Sequence, residues 1–313
     1  MLKTNFCGVE FKNPVIGASG TFGFGREYEN FTDLNKLGGI STKGLTIQPK
    51  NGNTGLRIYE TPSGIMNSIG LQNPSVQEFI NRDLDYMLSL DTVTIANIGG
   101  SDIKSYIEAV ELISSTDIKI IELNISCPNV KEGGMAFGIK CDIAEKVVSE
   151  VRKHTDKILM VKLSPNANDI VEMAKTCEDS GADAISLVNT FNALAIDTNK
   201  RKPVFDNITA GLSGPCIKPI ALRMCRDVCK NVKIPVCGMG GIQNYKDALE
   251  FIMVGCHLVQ VGTANFVNPN VMVEIANGME NYLKENNFKS IEDIRNSLLT
   301  RCWPATKPSP MTC

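Results

Sequence analysis

Eight short apolar runs recur along the chain, and several of the segments between them place apolar residues at helical spacing. In order, the runs are PVIGAS (14–19), GGISTKG (38–44), TVTIANI (92–98), IKIIELNIS (118–126), ILMVKLS (158–164), ADAISLVNT (182–190), IPVCGMGG (234–241) and HLVQVGTA (257–264). Each is of strand length and reads as buried on both faces. The helical segments include CDIAEKVVSEVRKH (141–154), DIVEMAKTCEDSG (169–181) and NYKDALEFIMVGC (244–256), the last opening on an N-cap asparagine. Strands alternating with helices eight times favour an α/β protein with a closed (β/α)8 TIM barrel over an open doubly wound sheet. Two intervals, 45–91 and 191–233, are too long for plain crossovers and predict insertions in βα loops at the C-terminal face, where sites are built. The first reads as a hairpin followed by a helix from Pro74. A single domain over 1–313 is expected, with the proline-rich stretch 301–313 as a flexible tail or contact arm.

Composition narrows the function. A length of 313 residues suits one barrel, and an apolar fraction of 43% supplies its core. A net charge of -2 gives no attraction toward nucleic acid or anionic lipid. The N-terminus lacks a signal-like apolar stretch and no run is long enough for a bilayer, so a soluble, cytoplasmic protein with no membrane partner is expected. The 11 cysteines have no Cys-x-x-Cys spacing, which argues against a metal or iron–sulfur site in this chain and makes most of them small buried hydrophobes. With only His154 and His257 present, proton transfer is expected to use another group.

The residues at the strand ends are the candidates for chemistry. Ser19, Lys43, Gly44, Asn97, Asn124, Lys162, Asn189, Thr190, Gly240, Gly241, Gly262 and Thr263 all end or follow an apolar run, with Cys127 just past the fourth. In a barrel they converge on one mouth holding two lysines, three amides and a thiol, with no carboxylate among them, which suits a planar anionic ligand. Lys162, inside an apolar strand, is costly to bury without a partner and therefore points to function. Lys43 is similar but could reach solvent. Asn97, Asn124 and Asn189, taken singly, are as well explained by caps and turns. Asn67, in GIMNSIGLQNP, reads most simply as a turn residue. The glycines ending the last two strands fit either tight turns or a phosphate site built from backbone N–H groups. Cys127 precedes a glycine-rich stretch, 129–138, of the character of a lid.

Together NPVIGASGTFGFG, NSIGLQNP, ELNISCPNVKEGG, VKLSPN, VNT, GLSGP, GMGGI and VGTANF resemble, in order, the dihydroorotate dehydrogenase family over nearly the whole chain. The cysteine and the loop after it are most similar to the class 1B catalytic subunit. The resemblance implies FMN held by Ser19, Lys43, Gly44, Asn97, Asn124, Lys162, Val188, Gly214, Gly240, Gly241, Gly262 and Thr263. It implies dihydroorotate held by Lys43, by Asn67, Ser68, Ile69, Gly70 and Leu71, and by Asn124, Asn189 and Thr190. Cys127 would be the catalytic base that takes the C5 proton, while the C6 hydride goes to flavin N5. NAD would be the final acceptor, reached through an electron-transfer subunit carrying FAD and a 2Fe-2S cluster, in a heterotetramer of two catalytic and two electron-transfer subunits. Rival readings are the fumarate-linked class 1A enzyme, a Schiff-base aldolase using Lys162, a tRNA dihydrouridine synthase and a non-catalytic scaffold.

Overall fold

The computed structural model describes residues 1–125 and 138–298. Eight parallel strands close into a barrel, the (β/α)8 architecture expected from the alternation. They are β1 (Val15–Gly17), β2 (Gly39–Ser41), β3 (Val93–Ile98), β4 (Ile120–Asn124), β5 (Ile158–Lys162), β6 (Ala184–Leu187), β7 (Val236–Met239) and β8 (Leu258–Val261). Each falls within one of the eight apolar runs. Neighbours in sequence are neighbours in the sheet, and β8 closes on β1 with Val259 opposite Val15.

The pleat sorts the inward side chains into layers, because successive inward positions are two residues apart. Ile95, Ile120, Met160, Ala184 and Leu258 form an apolar bottom layer, and Phe6 and Phe11 pack against it. Those two phenylalanines come from an N-terminal hairpin, Thr4–Phe6 with Val9–Phe11, which plugs the lower end and left no signal in the sequence pattern. Two residues further along the same strands stand Asn97, Glu122, Lys162, Ser186 and Gln260, all buried. The outward residues, such as Ile121, Leu123, Leu159 and Val161, pack in the larger core shared with the helices.

The helices form where the periodicity predicts them. Asp169 caps Ile170–Asp179 by accepting from the N–H groups of Val171 and Glu172. Asn244 caps Tyr245–Met253 in the same way. Each such cap contributes about 1 kcal/mol. The helix expected from Pro74 starts at Val76, with Ser75 as its cap, because the Ser75 hydroxyl takes the N–H of Glu78.

Both long intervals are insertions, and they pair with each other. Ile58–Thr61 and Gly64–Asn67 form the expected hairpin; Thr209–Ser213 adds to it, and Phe191–Leu194 adds to that, giving a four-stranded antiparallel sheet. Among the described residues, no helix is long and apolar enough to cross a membrane.

Candidate active site

A cavity of about 1020 Å³ opens at the C-terminal ends of the barrel strands, and the inserted sheet contributes part of its wall. Its size is that of a site for a cofactor-sized ligand. Lys43 and Gly44 after β2, Asn124 at the end of β4, Lys162 at the end of β5, and Val188, Asn189 and Thr190 after β6 all line it. So do Ser19, Gly240, Gly241, Gly262 and Thr263 from the loops after β1, β7 and β8. The first insertion contributes Asn67, Ser68, Ile69, Gly70 and Leu71, and the second contributes Gly214.

One side of the cavity is bare backbone. Gly214, Gly240 and Gly241 have φ of 102°, 128° and 75°, a region that side chains other than glycine rarely adopt. A Cβ on Gly241 would lie 2.8 Å from the carbonyl oxygen of Gly214, and one on Gly214 would lie 2.7 Å from Cα of Gly64. The turn after β7, the segment leading into the helix Lys218–Cys229 and the hairpin tip are therefore in backbone contact. Lys218, at the start of that helix, is held by Asp247 at 2.6 Å and Glu250 at 2.9 Å. A turn of this kind offers backbone N–H groups to an anion. The Thr263 hydroxyl donates to that of Ser213 at 2.9 Å and ties the turn after β8 to the second insertion.

The opposite side is polar and cationic. The Lys43 Nζ lies 3.6 Å from the position of a Cβ on Gly20. Burial lowers the Lys43 pKa, and the nearby Arg57 charge lowers it further. Arg57, whose charge reaches Lys43 and whose guanidinium donates to Gln72 at 2.8 Å, was not singled out in the sequence. Asn67, expected in a turn, ends an inserted strand instead, and its Nδ2 donates to the carbonyl oxygen of Gly211. The Asn189 side chain accepts from the N–H of Thr190 at 2.7 Å.

Beneath the cavity lies a carboxylate that the sequence reading missed. Glu122 is fully buried inside the barrel. Its Oε1 accepts from Ser186 at 2.8 Å and Gln260 at 2.7 Å. Its Oε2 accepts from Ser41 at 2.8 Å and Asn97 at 2.6 Å, with Lys162 Nζ at 4.0 Å. Burial acts to raise its pKa, but the Lys162 charge and the hydrogen bonds from Asn97, Gln260 and Ser186 outweigh burial and hold it below the ordinary carboxylate range. The strand-end residues include no carboxylate, yet one stands in the same inward layer as Asn97 and Lys162, and it is the partner that a buried Lys162 requires. The signal was present: Glu122 interrupts an apolar strand just as Lys162 does. Asn97, placed at the mouth by its position, is wholly buried beside this carboxylate and does not line the cavity.

These features fit a flavin nucleotide: a backbone-lined turn for a phosphate, a buried cation, and buried acceptors lacking partners. The unpartnered acceptors among the described residues include Oδ1 of Asn97 and Oε1 of Gln260. Cys127, most of the glycine-rich stretch 129–138 and the tail 301–313 lie outside the described residues.

Known proteins resemble this chain over nearly its full length. The sequence model of the family described as dihydroorotate dehydrogenase matches residues 1–283. A protein of Petrotoga mobilis named dihydroorotate dehydrogenase B (NAD(+)), catalytic subunit, is 60% identical over 293 residues, covering 94% of this chain and 98% of its own. Proteins of the same name from Brachyspira hyodysenteriae and Thermoanaerobacter pseudethanolicus are 52% and 50% identical, covering 94% and 95% of this chain and 97% and 98% of their own.

Proposed function

The chain belongs to the dihydroorotate dehydrogenase family, and on that footing we propose that it oxidises (S)-dihydroorotate to orotate in pyrimidine nucleotide synthesis, with FMN as its bound cofactor. The observation that carries this reading is one cavity that gathers Lys43, Asn67, Asn124, Lys162, Asn189 and the glycine turns from eight separate stretches of chain.

Lys43 supplies the positive charge for the substrate carboxylate, a charge-assisted contact strengthened by burial. The side chains of Asn67, Asn124, Asn189 and Thr190 supply the mixed donors and acceptors that a dihydropyrimidine ring requires. Cys127 follows Asn124 by three positions and is the residue assigned to remove the C5 proton; a thiolate near cationic groups can serve as that base. When bound, FMN would supply the acceptor for the C6 hydride. Lys162 holds a buried positive charge at the floor, suited to the electron-rich edge of the ring, and Gly214, Gly240, Gly241, Gly262 and Thr263 would hold the phosphate.

The electrons pass to NAD through a separate electron-transfer subunit bearing FAD and a 2Fe-2S cluster, in a cytoplasmic heterotetramer of two and two. The relatives' name, which specifies NAD(+) and a catalytic subunit, supports this acceptor over fumarate.

The test is purification of the chain alone and with its electron-transfer partner. The expected result is a yellow protein bleached anaerobically by dihydroorotate, with NAD reduction only when the partner is present. A protein that takes up no flavin refutes the reading, and turnover with fumarate by the chain alone replaces the acceptor.

A further inference from the structure

Six of the eight barrel strands send a polar side chain to one point. Ser41 of β2, Asn97 of β3, Lys162 of β5, Ser186 of β6 and Gln260 of β8 surround Glu122 of β4. An ionised carboxylate can only accept hydrogen bonds. Asn97 and Gln260 must therefore present their amide nitrogens to it, which turns their carbonyl oxygens away. Those two oxygens are among the four buried side-chain atoms that lack a hydrogen-bond partner among the described residues. Gln260 reaches the cavity wall. The Asn97 oxygen lies under Gly44, 3.0 Å from where a Cβ would stand. Leaving such acceptors unmet is costly, so the floor beside Gln260 is arranged for a donor that a bound ligand supplies.

We propose that Glu122 is a positioning residue for the flavin: it sets the direction of the Asn97 and Gln260 amides and anchors the Lys162 ammonium, so that the Gln260 side chain and the Lys162 cation, both at the cavity wall, are held in place for the bound ring. This rests on the FMN reading above. Glu122 also offsets part of the Lys162 charge. A negative charge this close to the ring opposes the charge that the ring gains on reduction. The carboxylate therefore holds the flavin at a lower potential than Lys162 alone would set.

The test compares FMN-loaded wild type with Glu122→Gln, which keeps the shape and removes the charge. The expected result is at least a tenfold shift of the two-electron reduction equilibrium toward reduced flavin, about 30 mV more positive, with FMN binding weakened at least tenfold. Unchanged potential and unchanged affinity in the folded variant overturn the proposal, even if its melting temperature falls, because a purely structural role predicts that pattern. If Glu122→Gln does not fold, Gln260→Met decides: it removes one donor to the carboxylate and one unmet acceptor, and must weaken FMN binding at least fivefold by fluorescence titration. Wild-type affinity in Gln260→Met then overturns the proposal. A wild-type protein that takes up no flavin overturns the FMN reading beneath it, which separates the two failures.

Discussion

Asn67 and Gly211 stand 144 positions apart, yet the side chain of the first donates to the carbonyl oxygen of the second at 3.3 Å, and their strands pair at this point. The contact joins the two βα insertions over the barrel mouth. Gly211 has no side chain because the Thr190 hydroxyl and Cβ occupy the place where one would go. Two residues assigned to the substrate, Asn67 and Thr190, are thus held through the same glycine.

Gly211→Val is accordingly expected to displace Thr190 and to weaken orotate binding about tenfold or more, while FMN, assigned above mainly to the barrel loops, should remain. Orotate titration of the flavin spectrum checks this. Equal affinity in the variant would mean that Thr190 does not contact the ligand.

Lys43→Ala removes the cation assigned to the substrate carboxylate. A hydrogen bond to a charged group contributes about 1.5–3 kcal/mol, so orotate affinity should fall about 10- to 150-fold. Because burial and Arg57 hold the Lys43 pKa down, wild-type affinity should decline on raising the pH sooner than an ordinary lysine allows. A flat profile up to pH 10 contradicts the assignment.

Cys127→Ser tests the base. The variant should retain FMN and its visible spectrum, since the phosphate turns and floor are untouched. Flavin reduction by dihydroorotate in a single turnover should slow by a factor of about 100 or more near pH 7. Reduction at the wild-type rate removes Cys127 from the reaction.

Gly241→Ala places a side chain at φ 75° and a Cβ 2.8 Å from the Gly214 carbonyl oxygen. The left-handed conformation alone costs about 1–2 kcal/mol, and the backbone contact must open. The variant should melt at lower temperature and lose FMN affinity together. Loss of stability with full FMN affinity would place the phosphate elsewhere.

His257 predicts how the fold responds to acid. Burial, helped by the Arg295 charge, lowers its pKa from 6.5 to about 4, and its Nδ1 faces the N–H of Val236 at 3.4 Å. The unfolded chain binds this proton below about pH 6.5, whereas the folded chain binds it only below about pH 4. Stability contributed by the neutral ring is therefore present above pH 6.5 and lost as pH falls toward 4. The upper bound is about 3 kcal/mol, reduced because the ring is partly exposed. Denaturant melts of His257→Gln should show a shallower decline across that window; an equal decline assigns the acid sensitivity to other groups.

Local pattern was enough to determine the barrel. A strand buried on both faces must be apolar throughout and a crossover helix must be apolar on one side, so eight strands and their helices can be counted from the chain. It also placed Lys43, Lys162, Asn124 and the paired glycines at strand ends, which a closed barrel brings to one mouth. Tertiary structure alone decided the rest. Whether Asn97 lines the cavity or lies beneath it, and that Glu122 meets Lys162, depend on the stagger between strands, which no single strand records. The pairing of the two insertions and the N-terminal plug are contacts between segments far apart in sequence, and hydrogen bonds between distant backbones leave no periodicity in either partner. Residue type marked which groups are costly to bury, and only the closed fold showed what each of them is buried against.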